Sequence, residues 1–140
     1  MIKKNIDWQN DFQAFIDFFR WKPFEWGEWD CCKFSDAAIY SYTKTHVIPK
    51  TLIWTDESSA NKAIKEYGKT LLGSLKKACK EAGLVNIQKE MMTTGDLVLF
   101  KTADGVMVGV TDGYGILAPS EEGLTVHPTD QAVKVWRVPA

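Results

Sequence analysis

Residues 26–34 read Trp-Gly-Glu-Trp-Asp-Cys-Cys-Lys-Phe, and this stretch contains the start of a predicted helix. Asp30 is a residue type favoured at helix N-caps, and the glycine before it interrupts any regular element that precedes it. We therefore predict a helix from about Asp30 to Thr45. The apolar positions that share one face of this helix are Cys31, Phe34, Ala38 and Tyr42.

Helical periodicity also appears on both sides of this stretch. Toward the N-terminus, an amphipathic pattern predicts a helix over Trp8–Arg20, with Asp7 as its N-cap. Toward the C-terminus, two shorter helices are predicted over Ser58–Tyr67 and Leu71–Ala82. Gly83 follows the last of them, in the position where glycine commonly ends a helix.

After Gly83 the pattern changes to short apolar runs that Gly, Asp, Pro and Ser separate. Such runs predict antiparallel strands, because the connections are too short for crossover helices. The predicted strands are Leu97–Phe100, Val106–Thr111, Gly115–Ala118, Leu124–His127 and Val133–Val138. Helices first and strands second predict an α+β fold in which N-terminal helices pack on a C-terminal antiparallel β-sheet. The length of 140 residues predicts a single domain, 1–140.

The overall charge limits the partners. Seventeen basic and eighteen acidic side chains leave a net charge of −1, which argues against nucleic acid as a partner bound by bulk electrostatics. No apolar run is long enough to predict a membrane span. The first residues lack the apolar region of a signal peptide, so we expect synthesis in the cytoplasm. No phosphate loop is present, and no cofactor is predicted.

Chemistry is concentrated in the Trp26–Phe34 stretch. A cysteine in the first turn of a helix lies where backbone N–H groups and the helix dipole stabilise a thiolate, which makes Cys31 a candidate nucleophile. Trp26, Trp29 and Asp30 are candidates for the wall of a binding groove. Alternatively, Cys31 and Cys32 are small buried residues of an aromatic core. No metal is predicted, because three cysteines at this spacing do not supply a zinc site, and a disulfide between adjacent cysteines would be strained.

The order of these motifs resembles the NlpC-type branch of the papain-like cysteine peptidases. Asp30-Cys31 matches the Asp-Cys pair of that family, with Cys32 at its usual Ser position, and residues 95–100 (Gly-Asp-Leu-Val-Leu-Phe) match its first sheet motif. More narrowly, the chain is similar to a small phage-encoded, tail-associated group with a Trp-Gly-x-x-Asp-Cys motif. The resemblance implies a papain-like fold with the cysteine nucleophile on a helix that packs against the sheet.

One departure from the family concerns the catalytic histidine. Residues 108–110 (Val-Gly-Val) match the family's Val-Gly-Ile, so the resemblance implies a histidine at the preceding position, where this chain has Met107. A thiol of this class needs an imidazole nearby to hold the thiolate and to protonate the leaving amine. Met107 therefore predicts an impaired cysteine-peptidase site.

Only two histidines could replace the missing imidazole. His127, at the end of a predicted strand, is a weak candidate base. His46 follows the Cys31 helix, and a straight helix of that length carries it about 20 Å from Cys31. Asp96 is interpreted as a turn residue rather than as a catalytic carboxylate.

These observations favour a structural or assembly component of a phage tail, at the tail tip, with other phage tail proteins as partners. Such a component would be made in the host cytoplasm and would reside in the virion. The alternative is an active endopeptidase or amidase that cleaves peptidoglycan stem peptides during infection. A third possibility is an assembly helper that leaves before the virion matures.

Overall fold

The computed structural model describes residues 2–140. Four helices come first: α1 (Trp8–Phe19), α2 (Cys31–Thr43), α3 (Glu57–Gly68) and α4 (Leu71–Ala82). Six strands follow: β1 (Val85–Ile87), β2 (Leu97–Thr102), β3 (Gly105–Thr111), β4 (Ile116–Ser120), β5 (Gly123–His127) and β6 (Ala132–Arg137). The predicted α+β class is confirmed, and all four predicted helices and five predicted strands are present within two residues at each end. No helix within residues 2–140 combines the length and apolar character needed to cross a membrane.

All neighbouring strands of the sheet are antiparallel, in the order β1-β6-β2-β3-β4-β5. The C-terminal strand β6 therefore lies between β1 and β2 and pairs with both. Strand β1 is absent from the sequence prediction. It has three residues, pairs only with β6 and is mostly exposed, so it lacks the apolar alternation that predicts a strand.

The helices cover one face of the sheet. Helix α2 contacts β3 and β4, α1 packs on α2, and α3 packs on α4. Apolar residues of alternate strand positions share one core with α2 on this helical face. The members of this core from α2 and the sheet include Phe34, Ala38, Ile39, Tyr42, Leu97, Leu99, Val108, Val110 and Leu117.

The opposite face of the sheet has a second, smaller core. The intervening strand positions point there and are also buried: Val98, Phe100, Ile116, Ala118, Ala132 and Val135. The ring of Phe100 lies 4.7 Å from the ring of His127 on this face, although β2 and β5 are three strands apart. Such a contact requires a strongly curved sheet. Its concave face encloses the second core.

Two predicted helix boundaries differ in their chemistry. Asp7 precedes α1, but its carboxylate makes no capping hydrogen bond. Gly83 has the positive φ of a left-handed residue and ends α4, and its N–H donates to the Cys79 carbonyl.

Cys79 is fully buried in α4, and burial raises the pKa of its thiol to about 12.

Asp96 connects the turn before β2 to β6. Its buried carboxylate accepts hydrogen bonds from Arg137 Nε (3.0 Å), Arg137 Nη2 (2.9 Å) and the Thr93 backbone N–H (2.9 Å). The interpretation of Asp96 as a turn residue is confirmed, and the ion pair with Arg137 adds a tertiary contact that the sequence did not predict.

Replacing Arg137 with methionine will lower the free energy of unfolding by about 1.5–3 kcal/mol, because the buried Asp96 carboxylate loses the guanidinium that donates two hydrogen bonds to it. Water can reach the Arg137 side of the pair, which is 30% exposed, and this limits the loss. Urea denaturation measures the effect. Lys134→Met, on the same strand, is the control and should change the free energy by less than about 0.5 kcal/mol. An equal loss in both variants would contradict a specific role for the ion pair.

Candidate functional site

Asp30 organises the start of α2. Its side chain is 1% exposed, and its carboxylate accepts hydrogen bonds from the backbone N–H groups of Lys33 (2.9 Å) and Gly27 (3.0 Å). A third bond comes from the indole Nε1 of Trp54, at 2.6 Å. The predicted N-cap is therefore confirmed. The prediction that Asp30 lines a binding groove is wrong, because internal donors occupy its carboxylate and protein covers it.

Gly27 allows another segment to approach this turn. It has a φ of +82°, and a Cβ atom placed there would lie 2.8 Å from the carbonyl oxygen of Trp54. Only glycine fits such a conformation at such a distance. The segment around Trp54, which connects α2 to α3, is thus held against the start of α2 by a backbone contact and by the Trp54–Asp30 hydrogen bond.

Cys31 is the first residue of α2 and is partly exposed. The pKa of its thiol is lowered, chiefly because the Cys32 thiol hydrogen-bonds to its sulfur. The backbone N–H of Val108 on β3 also stabilises the thiolate, while desolvation and the negative charge of Asp30 oppose it. These contacts make the Cys31 thiol a stronger acid than an ordinary cysteine.

The sheet position facing Cys31 is Val108, which lies in the core shared with α2. Met107 is the next residue along β3, so its side chain points to the opposite face, where it pairs with Phe100 and packs on the second core. The prediction that Met107 occupies the imidazole position opposite Cys31 is wrong. A shift of one residue in a strand changes the face, and valines occupy the face toward α2.

His127 also lies on the face of the sheet that points away from α2. It pairs with Ile116, a member of the second core, and its ring packs on Phe100. Burial there lowers the pKa of His127. The sheet separates this imidazole from Cys31, so the prediction of His127 as the base is wrong.

His46 is closer to the start of α2 than a straight helix predicts. The chain turns back after α2, so that His46 Nδ1 lies 2.7 Å from Asp36 Oδ2 and its ring stacks on Tyr40 at 4.3 Å. The other Asp36 oxygen accepts the N–H groups of Val47 (2.6 Å) and Ile48 (3.1 Å). The imidazole thus holds the returning loop on α2 through Asp36 and Tyr40, and it forms no hydrogen bond with the Cys31 thiol.

The two tryptophans proposed for the groove have different environments. Trp29 is buried against the rings of Phe15, Phe19 and Phe34, so its assignment to a groove wall is wrong. Its Nε1 has no hydrogen-bond partner among the described residues. Trp26 is 39% exposed, packs edge-on against Phe24, and remains accessible to a partner.

Cys32 differs from Cys31 in its surroundings. It lines an apolar cleft of about 70 Å³ that α2, α3, α4 and the segment around Trp54 enclose. The pKa of Cys32 is raised well above its ordinary value, first because its thiol donates to Cys31 and then because of desolvation. Within residues 2–140, no group of three or more His, Cys, Asp or Glu is arranged to hold a metal ion.

A family model for a domain of unknown function, DUF6950, matches residues 3–138 of the chain. The chain belongs to the DUF6950 family. No curated protein matches it. Because the DUF6950 match covers both the helices and the sheet, the Cys31 site and the strands opposite it belong to the same family domain.

The sequence did not predict two residues of the candidate site. Trp54 lies in an irregular segment with no periodic pattern, and only the hydrogen bond to Asp30 shows its role. Val108 lies on one face of β3 with Val106 and Val110, but the residues between them include the apolar Met107 and Gly109, so no polar–apolar alternation identifies the face toward α2.

Proposed function

We propose that this chain is a papain-like domain of the NlpC type that serves as a structural or assembly component of a phage tail, with an impaired cysteine-peptidase site. One observation carries the proposal. Cys31 has the helix-start position of a nucleophile, but the β3 residue facing it is a valine, and both histidines of the chain lie elsewhere. Without an imidazole, the thiolate lacks general acid–base assistance, which is typically worth about 10²–10⁴-fold in rate.

Exposed aromatic side chains support a binding role. Phe18 is 81% exposed, Trp21 is 78% exposed and Trp26 is partly exposed, all within residues 18–26. Aromatic residues are enriched at protein interfaces, and three exposed rings within nine residues form a candidate contact surface. Other tail proteins are the partners that we propose for this segment. Peptidoglycan is a further candidate, since tryptophan rings can also pack on sugars.

The lowered pKa of Cys31 favours a second candidate, an active cysteine endopeptidase or amidase that acts on peptidoglycan stem peptides. In that case a partner chain supplies the imidazole, because His46 bonds to Asp36 and His127 packs on Phe100 rather than on Cys31. The backbone N–H groups at the start of α2 would then stabilise the oxyanion.

Cys31 will react with iodoacetamide in the folded protein at least about tenfold faster than Cys79, because the thiolate is the reactive form. The pKa of Cys31 is lowered, so below the ordinary thiol pKa it keeps a larger thiolate fraction, whereas burial raises the pKa of Cys79 to about 12. Peptide mapping after timed alkylation over a pH series gives both rates. Cys31→Ala should remove the fast phase, and a fast phase on Cys79 would contradict the structure.

Hydrolysis separates the two functions. Under the structural proposal, the wild-type protein releases no more peptide from purified peptidoglycan than Cys31→Ala does. Release that depends on Cys31 would overturn the impaired site and support the peptidase. The assay is repeated with virion extract added, since an imidazole from a partner would become available only there.

Mass spectrometry of purified particles tests the tail association. A structural component appears in the particles at a fixed ratio to other tail proteins, while an assembly helper appears only in incomplete tails. Complete, infectious tails formed without the protein would contradict both roles.

A further inference from the structure

The apolar cleft that α2, α3, α4 and the segment around Trp54 enclose runs from the protein surface to the sheet. Leu97 of β2 and Val108 of β3 line it and are buried, whereas Leu52 and Tyr67, which also line it, are partly exposed. The cleft has a volume of about 70 Å³. An engineered cavity of about 150 Å³ with an apolar lining binds benzene, so this cleft can hold a group of roughly three or four carbon atoms.

The polar side chains around the cleft are engaged within the protein. Three hydroxyl groups, one indole and one carboxylate line it, and each has a hydrogen-bond partner. The bonds run from Ser35 Oγ to the Cys31 carbonyl (2.7 Å), from Ser74 Oγ to the Ile64 carbonyl (3.0 Å), from the Tyr67 hydroxyl to Glu81 (3.1 Å), from Trp54 Nε1 to Asp30 (2.6 Å) and from the Val47 N–H to Asp36 (2.6 Å). The Cys32 thiol, which also lines the cleft, is only a weak donor. A bound water needs about two to four polar partners, so the cleft favours an apolar group.

A second depression adjoins the cleft, and Leu52 and Ala63 line both. The second depression has a volume of about 300 Å³, and Lys62 and Glu66 also line it. Their charged ends are 4.0 Å apart and mostly exposed, so an ammonium donor and carboxylate acceptors are available to a ligand there. An occupant that suits both sites has an aliphatic group on a polar, uncharged frame. A peptide segment has this chemistry.

We propose that the cleft binds one valine- or leucine-sized side chain of a partner peptide, whose backbone lies in the adjoining depression. An apolar pocket beside a few polar groups is the usual form of a specific binding site, because the polar groups fix the orientation of the ligand. Ile53 also lines the depression and is 77% exposed, so it offers further apolar contact to the same peptide. The proposal does not depend on the tail function, and it uses a different surface from residues 18–26.

The test titrates methyl-labelled full-length protein with N-acetyl-L-leucine N-methylamide and follows the methyl resonances by NMR. We expect saturable shifts at the cleft residues Ile39, Ile64 and Val108, and none at Val98 and Ile116 of the second core. The alanine and aspartate analogues should bind at least about tenfold more weakly, because the first leaves the cleft empty and the second would bury a charge without a partner. Equal binding of the leucine and alanine compounds would overturn the proposal.

A second ligand tests whether the occupant is a peptide. The alcohol 3-methylbutan-1-ol carries the same isobutyl group as leucine but has no amide groups. It should bind at least about threefold more weakly than the leucine compound, because it cannot make the amide hydrogen bonds in the adjoining depression. Binding as tight as that of the leucine compound would overturn the assignment of the occupant as a peptide.

Two substitutions fill the cleft. Ala78→Leu on α4 and Ala63→Leu on α3 each place a larger side chain where the ligand would lie, so each should weaken binding of the leucine compound at least about tenfold. Having two positions covers the case in which one variant does not fold, which circular dichroism detects. Ala14→Leu, at an exposed position of α1, is the matched control and should bind like the wild-type protein. Unchanged binding in a folded Ala78→Leu or Ala63→Leu variant would place the ligand outside the cleft and refute the proposal.

Discussion

Replacing Asp30 with alanine will lower the free energy of unfolding by about 3–5 kcal/mol, because three partly buried donors lose one buried, charged acceptor together. Two of these donors, the backbone N–H groups of Lys33 and Gly27, belong to the start of α2 and the turn before it. The third, Trp54 Nε1, fixes the segment between α2 and α3. Urea denaturation followed by circular dichroism measures the loss.

Asp7→Ala is the matched control for this substitution. Asp7 also precedes a helix, but its carboxylate makes no capping hydrogen bond, so we expect a change below about 0.5 kcal/mol. Asp30→Asn, which keeps acceptor oxygen but loses the charge, should fall between the wild-type protein and Asp30→Ala. Equal stability of Asp30→Ala and Asp7→Ala would refute the organising role of Asp30.

Replacing Phe34 with alanine will lower the free energy of unfolding by a similar amount, about 3–5 kcal/mol, because it leaves a cavity where α1, α2 and the sheet meet. The side chain is 0% exposed, and its ring centroid lies 6.0 Å from that of Phe15 and 5.6 Å from that of Trp29. Calorimetry or urea denaturation gives the difference.

Phe18 provides the control, since it has the same side chain on a neighbouring helix and is 81% exposed. Phe18→Ala should change the free energy of unfolding by less than about 0.5 kcal/mol. The same variant also tests the partner surface, because loss of tail association without loss of stability would support residues 18–26 as a contact. A large loss of stability in Phe18→Ala would contradict the packing described for α1.

The sequence predicted the elements well because their signals are local. The helical face of Leu71–Ala82 and the glycine after it lie within thirteen consecutive residues, and the structure reproduces that helix without any shift. The Asp30 cap is equally local, since its carboxylate accepts a hydrogen bond from the backbone N–H of Lys33, three residues later. Strand β1 was not predicted for the opposite reason, because only its pairing with the distant β6 makes Val85–Ile87 a strand.

The candidate site shows the same division. The sequence indicated a cysteine at the start of a helix, and the structure confirms that position for Cys31. It did not indicate which strand residue faces the sulfur, because both faces of β3 are apolar. The motif match therefore assigned Met107 to that position, where the structure has Val108.

By itself, therefore, the sequence determined the helices, most strands, the α+β class and the placement of two thiols at a helix start. Only the tertiary structure decided that His127 lies behind the sheet, that His46 returns to α2, and that Trp54 bonds to Asp30. The physical reason is the range of each interaction. Periodicity and capping act within a few residues, whereas the face of a strand and the partner of a loop depend on register between segments that are distant in the chain.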